Sequence, residues 1–384
     1  MLNYERVVAE INLDNIAKNM QNIRKAINEN TKIMAIVKAD GYGHGCIEVA
    51  KTCLYNGANW LGVAIFEEAM ELRENNICEP ILILGNTIKN KFEQLIKNEI
   101  TQTVFSFEMA KNLSDIGKKL KKDALIHIKI DTGMSRLGFL PTKKDILEII
   151  KISKLPYIKI TGIFTHFATS DEKDKNFSNE QFEKYMYVVN KLEENGVKNL
   201  IKHISNSGAI LDLHNYNLDM VRAGIIIYGM YPSNEVCKNN IKLYPAMSIK
   251  TYISYIKEIE ENTSVSYCRT YFTKAKTKIA TIPVGYADGY ARIMSNKAKV
   301  ILNGQYANVV GNICMDQFMI DISHIKNAKV GDEVILMGEQ KGISISAEDL
   351  ANLQNTINYE IVCTIGKRIP RVFTKNGKII KVKK

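Results

Sequence analysis

Hydrophobic positions along the chain follow two rhythms. From about residue 31 to 230, short β-rich apolar runs alternate with segments whose apolar residues recur at i, i+3 and i+4. The runs cover 32–39, 60–65, 81–85, 102–106, 125–131, 158–167, 201–206 and 220–228. Between them lie amphipathic stretches such as "CIEVAKTCLYNG", "IFEEAMELRENN" and "NEQFEKYMYVVNKLEENG", several stopped by Gly or Asn. Eight strand-then-helix units predict an α/β fold, a (β/α)8 barrel of the TIM type. After residue 240 the rhythm changes to strand-length runs broken by Gly and Asn turns, in "AMSIKTYISYIKEI", "KIATIPVGYADGY", "AKVILNGQYANVVGNICM" and "KVGDEVILMG". That pattern predicts a separate, mostly-β C-terminal domain with one late helix near "SAEDLANLQ". The division reads as 1–241 for the barrel and 242–384 for the β domain, with a strand at 6–12 able to join either.

Composition narrows the function classes. At 384 residues and 46% hydrophobic, the chain is long enough for two packed domains. Its net charge of +11 arises from 52 Lys and Arg against 41 acids, spread over the whole length rather than gathered on one element. With no RNP, helix-turn-helix or zinc-finger signature, no nucleic-acid partner is expected. Seven cysteines without a C-x-x-C pair suggest reduced thiols in a cytoplasmic protein, with neither a disulfide framework nor a structural zinc. No H-x-H opens the first strand, so no catalytic metal is expected. The start carries acids and no apolar core, and no run approaches the ~20 apolar residues that span a bilayer, so neither export nor a membrane partner is expected.

The chemistry starts at "IVKADGYGHG", residues 36–45, where the first core strand ends on Lys38. Catalytic groups of a barrel sit at the C-terminal ends of its strands. Period-2 alternation puts Met34, Ile36 and Lys38 on one face. A desolvated amine there can form a Schiff base with an aldehyde, whereas an isolated strand-end lysine more often snorkels into solvent. The next loop offers glycines for close backbone approach and the phenol of Tyr42. Strands seven and eight end in "SNSGA" (205–209) and "RAGI" (222–225), small residues with free N–H donors where barrels commonly hold phosphate. A lysine on strand one opposite such a cradle is a layout for pyridoxal 5'-phosphate.

With those residues in hand, the chain resembles the bacterial alanine racemases, two-domain pyridoxal-phosphate enzymes of barrel fold, over nearly its whole length. The resemblance lies in "VKADGYGHG" (37–45), "IKIDTGMSRLGF" (128–139), "GIFTHFA" (162–168), "HISNSGA" (203–209), "VRAGIIIYG" (221–229), "VSYCRTY" (265–271), "PVGYADGY" (283–290), "GNICMDQ" (311–317), "TINYEIVC" (356–363) and "RIPR" (368–371). It implies that Lys38 forms the internal aldimine and is one base, with Tyr267 from the other subunit of a head-to-tail homodimer as the base on the opposite face. Tyr42, Ser207, Tyr359, Gly224 and Ile225 would hold the phosphate, with Asn206 close by. Arg222 would meet the pyridine nitrogen, Arg136 the cofactor phenolic oxygen and substrate carboxylate, and Met315 and Asp316 the substrate. His166 would touch the tyrosine and be touched by Arg222.

Those roles fit the reaction. Interconverting L- and D-alanine, the implied substrates, needs a proton removed from one face of Cα and returned to the other. Arginine seldom gives up its proton, so the pyridine nitrogen would stay unprotonated and the electron sink weak, which favours reprotonation over transamination. In some family members the lysine at position 129 is carbamylated, giving an anion that fixes the arginine; without it Lys129 and Arg136 would be two close cations. D-alanine would serve peptidoglycan. A serine, lysine or broad-specificity racemase on the same scaffold is the alternative, and Tyr359 and Met315 argue for a methyl side chain. A cofactor carrier without turnover would lack the second domain.

Taken singly, each residue has a blander reading: His166 a satisfied core histidine, Arg136 a loop ion pair, Tyr359 a core aromatic, Asp316 a turn cap. His44, His127, His203, His214 and His324 read as structural or surface. The chain also departs from the family pattern, with Cys268 after the tyrosine where Gly is common, Asn312 where an arginine often lines the substrate corridor, and Ser135 in the Arg136 loop, while Arg292 is kept.

Overall fold

The computed structural model describes residues 6–384. The chain divides into two compact units: one comprises Asn15–Gly41 and Cys46–Tyr244, the other the segment up to Asp14, Tyr42–Gly45 and Pro245–Lys384. The first strand, β1 (Val7–Asn12), belongs to the second unit. The barrel strands are β2 (Lys32–Ile36), β3 (Trp60–Val63), β4 (Ile81–Ile83), β5 (Thr101–Val104), β6 (Ala124–Lys129), β7 (Ile158–Phe164), β8 (Ile201–His203) and β9 (Met220–Ala223). They lie parallel in the order β8-β7-β6-β5-β4-β3-β2-β9. Two backbone bonds draw the edges together: Asp219 N donates to Lys202 O at 3.1 Å and Arg222 N to Ser205 O at 2.9 Å. The result is a nearly closed barrel, as eight apolar runs alternating with helices require.

The expected helices are present as Cys46–Tyr55, Phe66–Glu74 and Asn176–Glu194. The first and last are followed by Gly57 and Gly196 at φ +95° and +85°, the left-handed region that favours glycine. Each barrel strand stops short of the apolar pattern. The last is the clearest case: the pattern runs to 228, but β9 ends at Ala223 and Ile225–Tyr228 form a fully buried 3-10 turn. Buried loops at the C-terminal rim carry the same apolar residues as strands, so pattern cannot tell them apart.

In the second unit the strands are β10 (Met247–Tyr252), β11 (Tyr255–Ile259), β12 (Ser264–Val265), β13 (Tyr271–Phe272), β14 (Thr277–Ile282), β15 (Lys299–Leu302), β16 (Gln305–Val310), β17 (Phe318–Asp321), β18 (Glu333–Gln340), β19 (Ile343–Ile345), β20 (Arg371–Lys375) and β21 (Lys378–Lys383). The main sheet runs β11-β14-β17-β16-β15-β18-β10-β1-β20-β21, and β1 pairs antiparallel with β10 and parallel with β20. The late helix forms at Ala347–Gln354, its first turn capped by the Ser346 hydroxyl. A second helix, Asn358–Cys363, escaped the periodicity because six residues hold too few turns to show one. Among the described residues, no helix is long and apolar enough to cross a membrane.

Phe318 is fully buried in the β unit and stacks on Tyr290 with centroids 4.9 Å apart. Phe318→Ala should lower the unfolding free energy by about 3–5 kcal/mol, read from urea denaturation of the full-length chain.

Candidate active site

At the end of β2, Val37 N donates to Gly62 O at 2.9 Å and the buried Tyr228 hydroxyl donates to Ile36 O at 2.9 Å. The half-buried Lys38 follows. The chain then makes a left-handed turn, with Ala39, Asp40 and Gly41 at φ 52°, 51° and 62°. For each non-glycine this costs about 1–2 kcal/mol, so the surroundings must enforce it. Glu68 does so from the helix after β3: one carboxylate oxygen accepts from Ala39 N at 2.6 Å and the other from Ala64 N at 2.7 Å. Asp40 accepts from Cys46 N at 2.8 Å, and Gly41 N donates to Val37 O at 2.8 Å. The loop after Lys38 is therefore a braced turn rather than a loose glycine strap. Gly43 and Gly45 are required by packing: an added Cβ would lie 2.2 Å from Val362 O and 2.4 Å from Phe373 Cζ.

Arg222 on β9 lies in the barrel and is 3% exposed. Its guanidinium donates to the carbonyls of Thr165 (2.8 Å), Ile204 (2.9 Å) and His203 (3.1 Å), and meets Nδ1 of His166 at 3.0 Å and Nδ1 of His203 at 3.1 Å. None of these partners is a carboxylate, and all come from the ends of β7 and β8. No bond among the described residues engages its Nε–H. Burial lowers its pKa, Tyr185 opposes and Arg136 adds to the lowering. His166 is held well below its usual value by burial, then by Arg222, Lys129, Arg136 and Lys38. Lys129, 6% exposed at the end of β6, is likewise pushed well down by burial, Arg222 and Arg136, with Asp131 acting the other way. Its amine lies 5.0 Å from the Phe164 ring centre and the Arg222 guanidinium 5.4 Å. Arg136 is exposed on the loop after β6, beside Ser135 at φ 55°. Lys129 and Arg222 thus each feel the charge of Arg136, and Asp131 is the carboxylate that acts on Lys129.

The small-residue ends are tied to one another, and the Gly224 N–H, expected to be free, is engaged. Ser207 is buried, and its Oγ accepts from Gly224 N at 3.1 Å, joining the ends of the two neighbouring strands; Ile225 opens the buried turn. Asn206 caps Ser207–Asp212, its Oδ1 accepting from Ala209 N at 3.2 Å and from Ser170 Oγ at 2.6 Å, so its carbonyl shapes the turn.

In the β unit, Tyr267 is 69% exposed and sits between Ser266 and Cys268, with φ 67° and 61°. Asn312 Nδ2 donates to Tyr267 O at 2.7 Å and Ser266 Oγ to Asn312 O at 2.5 Å, so the departure at 312 clamps the tyrosine turn. Cys268 occupies a left-handed position that glycine would fill without strain. Met315 is exposed, and Asp316 accepts from Arg368 Nη2 at 2.8 Å rather than capping a turn. Tyr359 and Tyr42 have ring centres 6.0 Å apart, and burial raises the Tyr42 pKa. Arg292 is exposed.

Comparison with known proteins follows this geometry. The alanine racemase N-terminal domain matches residues 11–232 and the C-terminal domain residues 246–373. Alanine racemases of Clostridium perfringens and Clostridium tetani are 54% and 51% identical, each over 98% of this chain and 97% of theirs. The chain belongs to the alanine racemase family. Among solved structures, alanine racemase of Clostridium difficile 630 superposes with a TM-score of 0.95 at 46% identity, covering 98% of both chains. Alanine racemase of Bacillus anthracis with bound L-Ala-P gives 0.93 at 35%, covering 99% of this chain and 97% of that one. An alanine racemase is an isomerase, and its fold is the barrel with a separate β domain described above.

Two of the histidines read as structural or surface are buried and line up with Arg222. His127 and His203 are fully buried, and the His203 ring touches both Arg222 and His127. A signal existed: His127 stands two residues before Lys129, on the same face of its strand, and His203 opens "HISNSGA". His44 has Nδ1 2.9 Å from Tyr42 O, and His214 and His324 are exposed.

These imidazoles set a pH dependence. Burial pushes His127 down to about 3 and lowers His203 and His166 well below 6.5. The unfolded chain therefore binds more protons than the folded one below pH 6.5, and stability is lost as pH falls. Between pH 6.5 and about 3, His127 alone should cost up to about 1.4 kcal/mol per pH unit. Urea midpoints at pH 7 and pH 5 should separate accordingly, and by less in His127→Asn.

Proposed function

We propose that this racemase interconverts L- and D-alanine with pyridoxal 5'-phosphate held at Lys38, and that Lys38 and Tyr267 from a second copy of the chain move the Cα proton. The observation that carries the proposal is the buried Arg222 guanidinium with its Nε–H left over and no carboxylate among its partners. An unprotonated ring nitrogen fits that donor, as an acidic residue would not. The Ser207 hydroxyl, free to donate while its oxygen accepts from Gly224 N, and the backbone at Gly224 and Ile225 would line a phosphate, and the cations Lys129, Arg136 and Arg222 favour an anionic ligand. The chemistry supplied by the cofactor when bound is delocalisation of charge from the substrate Cα.

The chain's own residues then divide the work. The Lys38 amine, fixed by the braced turn, takes or returns the proton on one face. A guanidinium can only donate, so Nδ1 of His166 accepts from Arg222 and the imidazole proton lies on Nε2. That N–H is available to donate to the phenolate oxygen of Tyr267, the base of the opposite face. Arg136 would hold the substrate carboxylate. Carbamylation of Lys129 would turn one of two close cations into an anion and steady Arg136. The remaining assignments, Asn206, Tyr42 and Tyr359 to the phosphate region and Met315 and Asp316 to the substrate, belong to the same proposal, as do the head-to-tail homodimer, a cytoplasmic location and a role of D-alanine in the cell wall.

A circular-dichroism assay over alanine, serine, lysine and histidine should show fastest turnover with alanine; no turnover of alanine by cofactor-loaded protein would overturn the proposal. In Tyr267→Phe, racemisation should fall at least about 100-fold. Exchange of the D-alanine Cα proton with deuterated solvent should continue through Lys38, while that of L-alanine is lost. Equal loss of both exchanges would remove Tyr267 as the second base. Carbon-13 bicarbonate should give a carbamate resonance that disappears in Lys129→Arg.

A further inference from the structure

Behind Arg222, two buried imidazoles continue the hydrogen-bonded chain without a part in the proton transfers proposed above. Arg222 Nη1 lies 3.1 Å from His203 Nδ1, and His203 Nε2 lies 3.0 Å from His127 Nδ1. Because a guanidinium has no acceptor, His203 Nδ1 must accept. The neutral ring then carries its proton on Nε2 and donates it to His127 Nδ1. His127 in turn is protonated on Nε2, and that nitrogen is buried with no hydrogen-bond partner. A buried donor without a partner is unfavourable, so an apolar ring would be preferred here if the site needed only to be filled.

Several features nevertheless shape the barrel around this imidazole. The register between β6 and β7 shifts here, Ile126 pairing with Ile160 and His127 with Gly162, so that Thr161 of β7 is the extra residue and glycine comes opposite the imidazole. Opposite stands Gly162, where a Cβ would lie 2.6 Å from both Cε1 and Nε2 of His127. The Trp60 ring lies 5.1 Å away, and Phe164 stacks on His203 at 4.7 Å with 8° between planes. What a histidine offers at 127 and a hydrocarbon does not is the Nδ1 acceptor.

We propose that His127 is a positioning residue for Arg222, acting through His203: by accepting the His203 Nε2 proton it keeps His203 Nδ1 an acceptor, which fixes the plane of the guanidinium. Without that acceptor, His203 is free to carry its proton on Nδ1, where it would oppose the Arg222 N–H. The inference rests on Arg222 being the cofactor's partner, as proposed above, but the imidazole tautomers can be read independently of turnover.

The test uses the full-length chain loaded with pyridoxal phosphate, labelled with nitrogen-15 in histidine, and compares it with His127→Leu, which removes the acceptor, and His127→Asn, whose amide oxygen restores one. The unsubstituted protein should show His203 protonated on Nε2 by solid-state nitrogen-15 NMR. His127→Leu should mix the His203 tautomers, shift the cofactor's visible absorption and lower kcat about tenfold, while His127→Asn stays within about threefold of the parent. A His203 proton on Nδ1 in the parent, or equal losses in the two variants, or unchanged tautomers in both, would overturn the proposal. If the Leu variant does not fold, the parent spectrum and the Asn variant still decide it. Failure of the parent to racemise alanine would instead strike the reading of function and leave the tautomer result standing.

Discussion

A buried guanidinium that no carboxylate neutralises is the constraint around which the barrel is organised. Taking a charged group out of water is costly unless its donors are satisfied. Arg222 meets this with the carbonyls of Thr165, His203 and Ile204 and the imidazoles of His166 and His203, all delivered by the ends of two strands that the barrel closure brings beside β9. A carboxylate would neutralise it more cheaply. Burial first, and the uncompensated charge of Arg222 after it, lowers the pKa of His127, His166, His203 and the Lys129 amine.

The two residues assigned to proton transfer share a second property. Lys38 opens, and Tyr267 sits within, backbone that ordinary residues avoid: Ala39 and Asp40 on one side, Ser266 and Cys268 on the other. In each case a side chain from elsewhere in the same unit enforces the conformation, Glu68 for the lysine turn and Asn312 for the tyrosine turn. Strain held in this way restricts where the reactive atom can go, which suits groups that must approach one carbon from defined directions. Asn312 thereby has a structural task of its own, holding the Tyr267 carbonyl.

Much of this was legible along the chain. Eight apolar runs separated by amphipathic segments specify a barrel, because parallel strands buried on both faces need continuous apolar stretches and a helix to return each time. The ends of those runs marked Lys38, Ser207 and Arg222, since a barrel's chemistry lies at strand ends. Less legible were the strand ends themselves, because buried rim loops such as Ile225–Tyr228 are as apolar as strands.

Local pattern and residue chemistry by themselves determined the architecture, the family and the roster of reactive side chains, since these depend on periodicity and on which functional groups are present. Only tertiary structure decided what those groups face. It placed β1 in the β sheet, where pairing with β10 and β20 wins over proximity in the chain. It turned a glycine-rich loop into a braced left-handed turn, and it drew His127 and His203 into the line behind Arg222. Those outcomes rest on hydrogen-bond geometry and desolvation between residues far apart in sequence, which no local pattern encodes.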